Sequence, residues 1–539
     1  MPTDHFHNDS RYEPHSSDSF NNRFWFDASH YKPGGPVIVL QSGEATGAAR
    51  LPYLQKGVLA QLAQATHGIA VVLEHRYYGA SWPVPDLSPA NMRFLTTAQA
   101  LADEAYFARH VRFPGLERYG DLTSATTAYI GYGGSYAGAF SAFLRVLYPD
   151  VFWGAISSSG VVEAIWDYWA YYEPVAEYGP PDCIATQKTL THVVDNILIG
   201  KHQSDLTLQL KTAFGFQDLE HDADFASVLA YPMSGWQSLN WDPSVSSPAF
   251  NEYCANISST VVLYPETEPL RSNATKLITA GGYTASTALV NKMLNLIGYS
   301  NLTAVSPCAA QDQTQDQCFS NYNTTFYRQD DLSQTWRSWP YQYCTEWGYL
   351  QTGSGVPSDQ LPLISRLLDL EYDSVICVDA FNVTTPPDVH AVNKYGGYNI
   401  SHPRLAFIDG EQDPWRPASA HGFGYGASPR VRVPFSVSTR PPLAIDAVRA
   451  DFVVPQTSTA SQPFVLIRGA GHHWDENGLF ANETTATDPP PSVADAQKLE
   501  VRVVREWMRE WALRCLVSGR GSCSRFWPLW PKVDSMVEH

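Results

Sequence analysis

Short apolar runs followed by glycine-containing turns recur in the first third of the chain. They occupy residues 35–43, 67–79, 126–135 and 151–160. Uninterrupted apolar runs of this length, rich in Val and Ile, are typical of strands buried on both faces of a parallel sheet. Residues 136–150 instead place their apolar side chains on one helical stripe. The pattern therefore predicts strands that alternate with helices.

The pattern changes from about residue 165, where aromatic residues, cysteines and glycosylation sequons cluster and the alternation fades. It returns with two predicted strands, at 404–408 and 463–468, and residues 492–516 then predict an amphipathic helix. The apolar face of that helix carries Leu499, Val503, Trp507 and Trp511, and Glu500 is counted among the polar positions between them. We therefore expect an α/β core that is split by a large insertion.

Composition agrees with a globular, acidic protein. Hydrophobic residues make up 44% of the 539 residues, which is enough for a large core, and the net charge is −18. A strongly negative surface argues against nucleic acid or an anionic membrane as a partner. The chain has no apolar run of 18 residues, so we expect no transmembrane helix.

Two features point to a secreted or lysosomal protein, although the polar first 20 residues are not a signal peptide. The chain has eight N-x-S/T sequons, at Asn8, Asn256, Asn273, Asn301, Asn323, Asn382, Asn399 and Asn482. It also has eight cysteines, at 183, 254, 308, 318, 344, 377, 515 and 523. None has the spacing of a zinc motif, so disulfides are favoured over metal. The alternative is chance sequons and buried thiols.

The segment "YIGYGGSYAGAFSAF", residues 129–143, places a serine between a predicted strand and a predicted helix. A serine hydroxyl attacks a carbonyl only when a base takes its proton and a carboxylate orients that base. In α/β hydrolases these groups follow strand ends in the chain order Ser, Asp, His. Ser135, Asp413 and His472 follow three predicted strands in that order, and we predict that they form a catalytic triad. His473 is the alternative base.

The usual elbow reads G-x-S-x-G, but Ala137 stands here at the last position and the glycine follows at Gly138. Strand and helix approach closely at such an elbow, so the neighbours of the serine must be small. Gly133, Ala137 and Gly138 meet that requirement, and we expect the turn to form with alanine.

Acyl transfer also needs hydrogen-bond donors for the oxyanion. The backbone N–H of Tyr136 is the first candidate, and the second should come from loop 41–47, which contains Gly43, or from loop 74–83. In the latter loop, Tyr77 or Tyr78 could offer a phenol. Glu44 is a candidate for binding a substrate amine or, equally, a structural hydrogen-bond acceptor.

Several motifs together resemble one family of serine peptidases. They are "EHRYYGASWP" (74–83), "MRFLTTAQALADEAYF" (92–107), "GGSYAG", "YQYCTEWGYLQT" (341–352), "DGEQDPW" (409–415) and "GAGHHWD" (469–475). The family is that of lysosomal Pro-X carboxypeptidase, dipeptidyl peptidase II and fungal acid prolyl endopeptidases. The resemblance covers nearly the whole chain, and it also includes the segment at 20–37 and the start of the chain, which looks like the start of the mature family domain.

The resemblance implies an α/β-hydrolase fold with an inserted, mainly helical cap domain: core at 1–165, cap at 166–340, core again at 341–539. It implies cleavage of peptides after proline, often in acid, without metal or cofactor. Ser135 would be the nucleophile, Asp413 the orienting acid and His472 the base. The positions that match the lining of the proline pocket are Ala139, Tyr349 and Trp415. Alanine at 139 is smaller than the residue of some relatives, which could loosen the pocket.

The resemblance also implies a Cys344–Cys377 disulfide. Cys515 and Cys523 are close enough to pair locally, and the other four cysteines allow three connectivities. An exopeptidase is favoured over an endopeptidase, while carboxypeptidase or dipeptidyl peptidase, and monomer or homodimer, stay open. The rival functions are a serine carboxypeptidase with a G-E-S-Y-A-G elbow, a lipase or esterase on the same fold, and an inactive glycosylated binding protein.

Overall fold

A computed structural model describes residues 1–200, 204–422, 432–433, 456–480 and 482–517. Its strands are β1 (Phe24–Asp27), β2 (Val37–Gln41), β3 (Ile69–Leu73), β4 (Tyr129–Gly134), β5 (Phe152–Ser158), β6 (Ile165–Asp167), β7 (Gly348–Leu350), β8 (Leu405–Gly410), β9 (Arg432–Val433), β10 (Gln456–Thr457) and β11 (Phe464–Ile467). Seven of them form one sheet in the order β1-β3-β2-β4-β5-β8-β11. The six predicted strands are confirmed as β2, β3, β4, β5, β8 and β11.

The helices lie on both faces of the sheet and in the long segment between β5 and β8. They are α1 (Gly57–Thr66), α2 (Pro89–Met92), α3 (Thr97–His110), α4 (Tyr136–Leu147), α5 (Tyr172–Tyr178), α6 (Pro181–Leu198), α7 (Ser204–Ala213), α8 (Asp222–Ser234), α9 (Ala249–Ser258), α10 (Arg271–Ala280), α11 (Thr287–Ser300), α12 (Ser306–Ala310), α13 (Gln315–Phe319), α14 (Thr324–Tyr327), α15 (Ser338–Gln342), α16 (Leu370–Asp373), α17 (Val375–Phe381), α18 (His390–Asn393) and α19 (Pro491–Val517).

Alternation along β2 shows why the sheet is buried on both sides. Val37 and Val39 pack in the same core as α3 and α4, whereas Ile38 and Leu40 pack on the opposite face with α1 and α19. Successive side chains of a strand point to opposite faces, so a strand between two helical layers must be apolar throughout. This is the α/β-hydrolase fold, as predicted.

The strand β1 was not expected from the sequence. It pairs antiparallel with β3 at the edge of an otherwise parallel sheet. All four of its residues, FWFD, are half-buried, whereas every residue of β2 and β3 is buried. Only its pairing with β3 identifies this segment as a strand.

Between β5 and β8 the chain forms α5 to α18 and the short parallel pair β6–β7. The disulfide Cys183–Cys254 joins α6 to α9, and Cys308–Cys318 closes a short loop at α12 and α13. The Cys344–Cys377 bridge that the family resemblance implied is confirmed. Cys523, the predicted partner of Cys515, lies outside the described residues. The domain limits at 165 and 340 stay a prediction.

Parallel strands put their carboxyl ends at one edge of the sheet. The ends of β4, β5, β8 and β11 lie side by side there, because β5 pairs with both β4 and β8, and Gly410 of β8 pairs with Ile467 of β11. The segments that follow these strands carry Ser135, Asp413 and His472. Within the described chain, no helix combines the length and apolar character that a membrane span needs.

Candidate active site

Ser135 occupies a strained turn between β4 and α4. Its φ is +60°, a conformation that L-residues rarely adopt, and α4 begins at the next residue. Its backbone N–H donates to the carbonyl of Ser158 over 2.9 Å, which ties the turn to the end of β5. A strained backbone conformation of this kind persists only where surrounding contacts maintain it. The turn places the serine side chain above the edge of the sheet.

The space around the turn explains the unusual glycine pattern. A Cβ at Gly133 would lie 2.2 Å from the carbonyl oxygen of Ala137, and one at Gly138 would lie 2.7 Å from that of Ser158. Glycine is therefore required at both positions. Ala137 itself is buried, and its own Cβ is accommodated. Loop 41–47 leaves it room, since a Cβ built on Gly43 would still be 3.8 Å away.

A continuous hydrogen-bond chain links Ser135 to His472 and Asp413. His472 Nε2 lies 2.8 Å from Ser135 Oγ, and its Nδ1 lies 2.9 Å from both carboxylate oxygens of Asp413. Because the carboxylate only accepts, Nδ1 carries the proton and Nε2 is free to accept from the serine hydroxyl. Asp413 is fully buried and His472 nearly so. We call these three residues the Ser–His–Asp chain.

The Asp413 carboxylate is oriented by its own loop. The backbone N–H of Trp415 donates to Asp413 Oδ1 over 2.8 Å. Two tryptophans of the insertion hold the loops that carry Asp413 and His472: Trp236 Nε1 donates to the carbonyl of Gln412 and Trp241 Nε1 to that of Trp474. The helical segment therefore forms part of the support for this chain.

His473, the alternative base, makes different contacts. Its Nδ1 lies 3.0 Å from Glu476 Oε2, and its backbone N–H donates to Ser159 Oγ. Burial acts to lower the pKa of His473, but the close contact with the Glu476 carboxylate and its charge outweigh burial and raise it. Burial acts to raise the pKa of Glu476, and His473 together with Arg50 lowers it. The pair is thus an ion pair beside the Ser–His–Asp chain.

A buried carboxyl pair, Asp475 and Glu500, lies beneath the His472 loop. Asp475 accepts from Ser158 Oγ over 2.6 Å and from Tyr132 Oη over 3.1 Å. Burial raises the pKa of Asp475 to about 6 and that of Glu500 well above its usual range, and the two carboxyls interact. Glu500, counted in the sequence among the polar positions of α19, is fully buried.

Loop 41–47 runs beside the elbow. Gly43, at φ +71°, donates its N–H to the side chain of Gln41 over 2.7 Å, so its own amide is already used. The half-buried Glu44 has no hydrogen bond or ion pair to any described residue. Its charge contributes to raising the pKa of Tyr136, after the dominant effect of burial and the effect of Tyr78. The Glu44 carboxylate is therefore close enough to Tyr136, the residue after Ser135, for its charge to act there.

The phenols of Tyr77 and Tyr78 both donate hydrogen bonds to other parts of the protein. Tyr77 Oη donates to the carbonyl of Asn91 over 2.6 Å, and Tyr78 Oη donates to Gln342 Oε1 over 2.5 Å. Each phenol thus donates its proton to a protein acceptor, and a role of Tyr77 or Tyr78 in binding the oxyanion stays a prediction. The sequence shows that both tyrosines lie in a loop after an early strand. It does not show that their hydrogen-bond acceptors lie on α2 and α15.

A hydrogen-bond chain runs from that loop to the residue after Ser135. Gln342 Nε2 donates to Tyr136 Oη over 2.5 Å. His75 Nδ1 lies 2.6 Å from the carbonyl of Arg76 and is therefore the donor, so His75 Nε2 accepts from Tyr136 Oη over 3.0 Å. Burial lowers the pKa of His75 to about 4, which keeps the imidazole neutral. These contacts fix the start of α4.

An aromatic cluster lies on the other side of His472. Trp415 stacks on Tyr168 with ring centroids 5.3 Å apart and meets Tyr349 edge-on at 5.1 Å. Its ring centroid lies 6.4 Å from that of His472. Tyr349, at φ +67°, donates its hydroxyl to the carbonyls of Val161 and Glu163, so its ring is held in place.

Gln237 of the insertion completes this cluster. Its Oε1 accepts from Trp415 Nε1 over 2.7 Å and from Tyr171 Oη over 2.9 Å. The sequence did not indicate Gln237, because a lone glutamine in a helical segment has no distinctive spacing. Gln342 lies in the family motif at 341–352, but no role was predicted for it. Of the predicted lining, Trp415 and Tyr349 meet in one cluster, whereas Ala139 is fully buried within α4. The role of Ala139 in the pocket stays a prediction.

The family model described as serine carboxypeptidase S28 matches residues 2–428. The chain belongs to the serine carboxypeptidase S28 family. It is 50% identical over 510 residues to the "Probable extracellular serine carboxypeptidase" of Arthroderma benhamiae, which covers 94% of this chain and 67% of that protein. It is 29% identical over 470 residues to the "Serine protease vicPa" of Bipolaris victoriae, covering 85% and 80%.

A mammalian relative is more distant. The "Thymus-specific serine protease" of Mus musculus is 27% identical over 417 residues, covering 74% of each chain. Membership of the S28 family makes this chain a serine-type peptidase, and the predicted family resemblance is confirmed.

Proposed function

We propose that Ser135, His472 and Asp413 are the catalytic nucleophile, base and orienting acid of a peptidase that cleaves after proline. The observation that carries the proposal is the Ser–His–Asp chain: a serine hydroxyl 2.8 Å from an imidazole nitrogen, whose other nitrogen donates to a buried carboxylate. Such a chain makes the serine oxygen nucleophilic and stabilises the imidazolium that forms.

The chemistry follows from these contacts. Ser135 Oγ bonds to the carbonyl carbon of the residue before the scissile bond while His472 Nε2 takes the hydroxyl proton. The C–N bond then breaks, and His472 gives that proton to the leaving amine. Water attacks the resulting ester, its proton passes to Nε2, and Ser135 leaves with that proton. Asp413 remains ionised throughout and holds the imidazole in the required tautomer.

The oxyanion would be bound by the backbone N–H of Tyr136. It is the first amide of α4, and the first four N–H groups of a helix have no intrahelical acceptor. The positive end of the helix dipole adds to its attraction for negative charge. The Tyr136 side chain supports this amide indirectly, since Gln342 and His75 hold the phenol.

The residue before the scissile bond would pack against the aromatic cluster. Trp415 and Tyr349 present rigid rings next to His472, and a pyrrolidine ring is compact and apolar enough to pack on such faces. This supports the preference for proline that the family resemblance implied.

We propose further that the enzyme is an exopeptidase that releases the residue at the carboxyl end. The name of the Arthroderma relative is that of a serine carboxypeptidase. Glu44 is the competing feature, because a carboxylate would suit an N-terminal amine instead.

The triad is tested with a fluorophosphonate probe on wild-type, Ser135→Ala and Ser141→Ala proteins. Ser141 lies on the same helix but away from His472, so it controls for a general effect of removing a hydroxyl. We expect Ser135→Ala to lose labelling and at least about 1,000-fold in kcat/KM, and Ser141→Ala to keep both. Full labelling of Ser135→Ala would refute the assignment.

Specificity is tested by mass spectrometry of products from one proline-containing peptide, with each end free or blocked. Amidation of the carboxyl end should abolish cleavage, and acetylation of the amino end should not. The reverse result would make the enzyme a dipeptidyl peptidase and assign Glu44 to amine binding. Cleavage with both ends blocked would make it an endopeptidase. Faster hydrolysis of a p-nitrophenyl ester or a lipid emulsion than of any peptide would favour an esterase or lipase.

We also propose that the protein is secreted or lysosomal and carries N-linked glycans. The sequons at Asn8, Asn382, Asn399 and Asn482 are exposed, as glycan attachment requires. Three disulfides among the described residues fit an oxidising compartment. A mass decrease on treatment of the secreted protein with an N-glycosidase tests this.

A further inference from the structure

Three side chains near the start of the chain converge without any role in the Ser–His–Asp chain. They are Asp4, His7 and His15, and each offers one atom to a group in which all three atoms lie within 4.8 Å of one another. His5 is not part of the group, because its Nε2 faces Asp103 at 2.8 Å. The group therefore takes residues 4, 7 and 15 and leaves out the neighbouring His5.

The Asp4 carboxylate is oriented like a metal ligand. Its Oδ1 accepts from the backbone N–H of Phe6 and from Gln99 Nε2, both over 2.8 Å. Its Oδ2 faces the two histidines instead, 2.8 Å from His15 Nδ1 and 4.0 Å from His7 Nδ1. At metal centres, the carboxylate oxygen that does not bind the metal usually accepts hydrogen bonds from the protein. These hydrogen bonds fix the direction of the ligand oxygen.

The donor set and the spacing suit zinc. Two imidazole nitrogens and one carboxylate oxygen are ligands that Zn²⁺ accepts. With metal–ligand bonds of about 2.0–2.1 Å, tetrahedral ligand atoms stand about 3.3 Å apart. The two distances from Asp4 Oδ2 lie on either side of that value, and His7, whose side chain is 56% exposed, can rotate to adjust.

We propose that Asp4, His7 and His15 bind a Zn²⁺ ion, with a fourth position open to solvent. Asp4 is held to α3 through Gln99, and His15 lies eleven residues further along the chain. A bound ion would therefore join the two ends of the segment from Asp4 to His15 and fix this segment to α3. The alternative is that the Asp4–His15 contact is only a hydrogen bond that orders the segment without metal.

The test uses the full chain, freed of metal by a chelator and dialysed. Zn²⁺ is titrated in competition with a chromophoric chelator for the wild type, for the double variant His7→Gln/His15→Gln, and for His30→Gln. His30 is exposed and outside the group, so it controls for binding to any surface histidine. We expect the double variant to lose one equivalent of Zn²⁺, or to bind it at least about 10-fold more weakly, and His30→Gln to match the wild type.

Two further measurements separate metal binding from damage to the fold. Co²⁺ should give the visible absorption of a tetrahedral nitrogen–oxygen site in the wild type and not in the double variant. Melting temperatures measured in EDTA give the effect of losing the Asp4–His15 hydrogen bond alone, and added Zn²⁺ should raise only that of the wild type. Equal Zn²⁺ stoichiometry and affinity in wild type and double variant would overturn the proposal.

Discussion

Ser158 Oγ donates a hydrogen bond to Asp475 Oδ1 over 2.6 Å, and the carbonyl of the same serine accepts the backbone N–H of Ser135. The last residue of β5 thus connects a buried acid to the turn that carries the proposed nucleophile. Asp475 faces Tyr132 from β4, Ser158 from β5 and Glu500 from α19, with Glu476 next to it along the chain. Ionisation of the Asp475–Glu500 pair therefore changes the charge next to Ser158, the residue that is hydrogen-bonded to the turn of Ser135.

Replacing Glu500 by Gln should make stability less dependent on pH. Burial raises the pKa of both carboxyls, so the native state favours their protonated forms. This stabilises the protein below the unfolded pKa values, and the contribution is lost as pH rises through the native value of about 6 for Asp475. We expect Glu500→Gln to lose less melting temperature than the wild type between pH 4 and 8. Parallel melting curves against pH would contradict this explanation.

Replacing Glu476 by Gln should destabilise the protein mainly in mild acid. The pKa of His473 is raised above its usual 6.5 and that of Glu476 lowered below its usual 4.5. The stabilisation from His473 is lost as pH rises through its native pKa, and that from Glu476 as pH falls through its own, so both are present between 4.5 and 6.5. The difference in melting temperature from wild type should be larger at pH 5.5 than at pH 8.5. Equal differences would argue against an ion pair.

Replacing Gln237 by Ala should lower kcat/KM for a proline substrate by about 10-fold. The substitution leaves Trp415 Nε1 and Tyr171 Oη without their acceptor, which costs about 1–3 kcal/mol and loosens the aromatic cluster. The ratio of kcat/KM between proline and alanine at the position before the scissile bond should fall as well. Gln311→Ala, at an exposed site of the insertion, serves as the control. An unchanged ratio would mean that the cluster does not contact that residue.

The two small residues after Ser135 should respond in opposite ways to substitution. Gly138→Ala places a methyl group 2.7 Å from the carbonyl oxygen of Ser158 and 2.9 Å from the Cα of Gly160, so the elbow must shift. We expect loss of fluorophosphonate labelling and a lower melting temperature. Ala137→Gly should keep labelling and lose no more than about 1 kcal/mol of stability, the usual helix preference for alanine. Full activity of Gly138→Ala would show that the turn tolerates more volume than its geometry implies.

The linear pattern determined the framework of this protein. Six strands of the sheet, the helix after Ser135 and the final helix were predicted within a few residues, because a strand covered on both faces must be apolar along its whole length. The order Ser135, Asp413, His472 was also readable, since each residue follows a strand whose end lies at the same edge of the sheet. Family motifs added the Cys344–Cys377 bridge, which spacing alone could not select.

Only the tertiary structure decided which side chains meet. Tyr77 and Tyr78 look like oxyanion donors in the sequence, yet α2 and α15 supply acceptors that occupy their hydroxyls. Glu500 falls between apolar positions of an amphipathic helix, yet it is fully buried and interacts with Asp475 from a loop. These contacts join residues far apart in the chain, and neither helical nor strand periodicity carries information about a partner on another element.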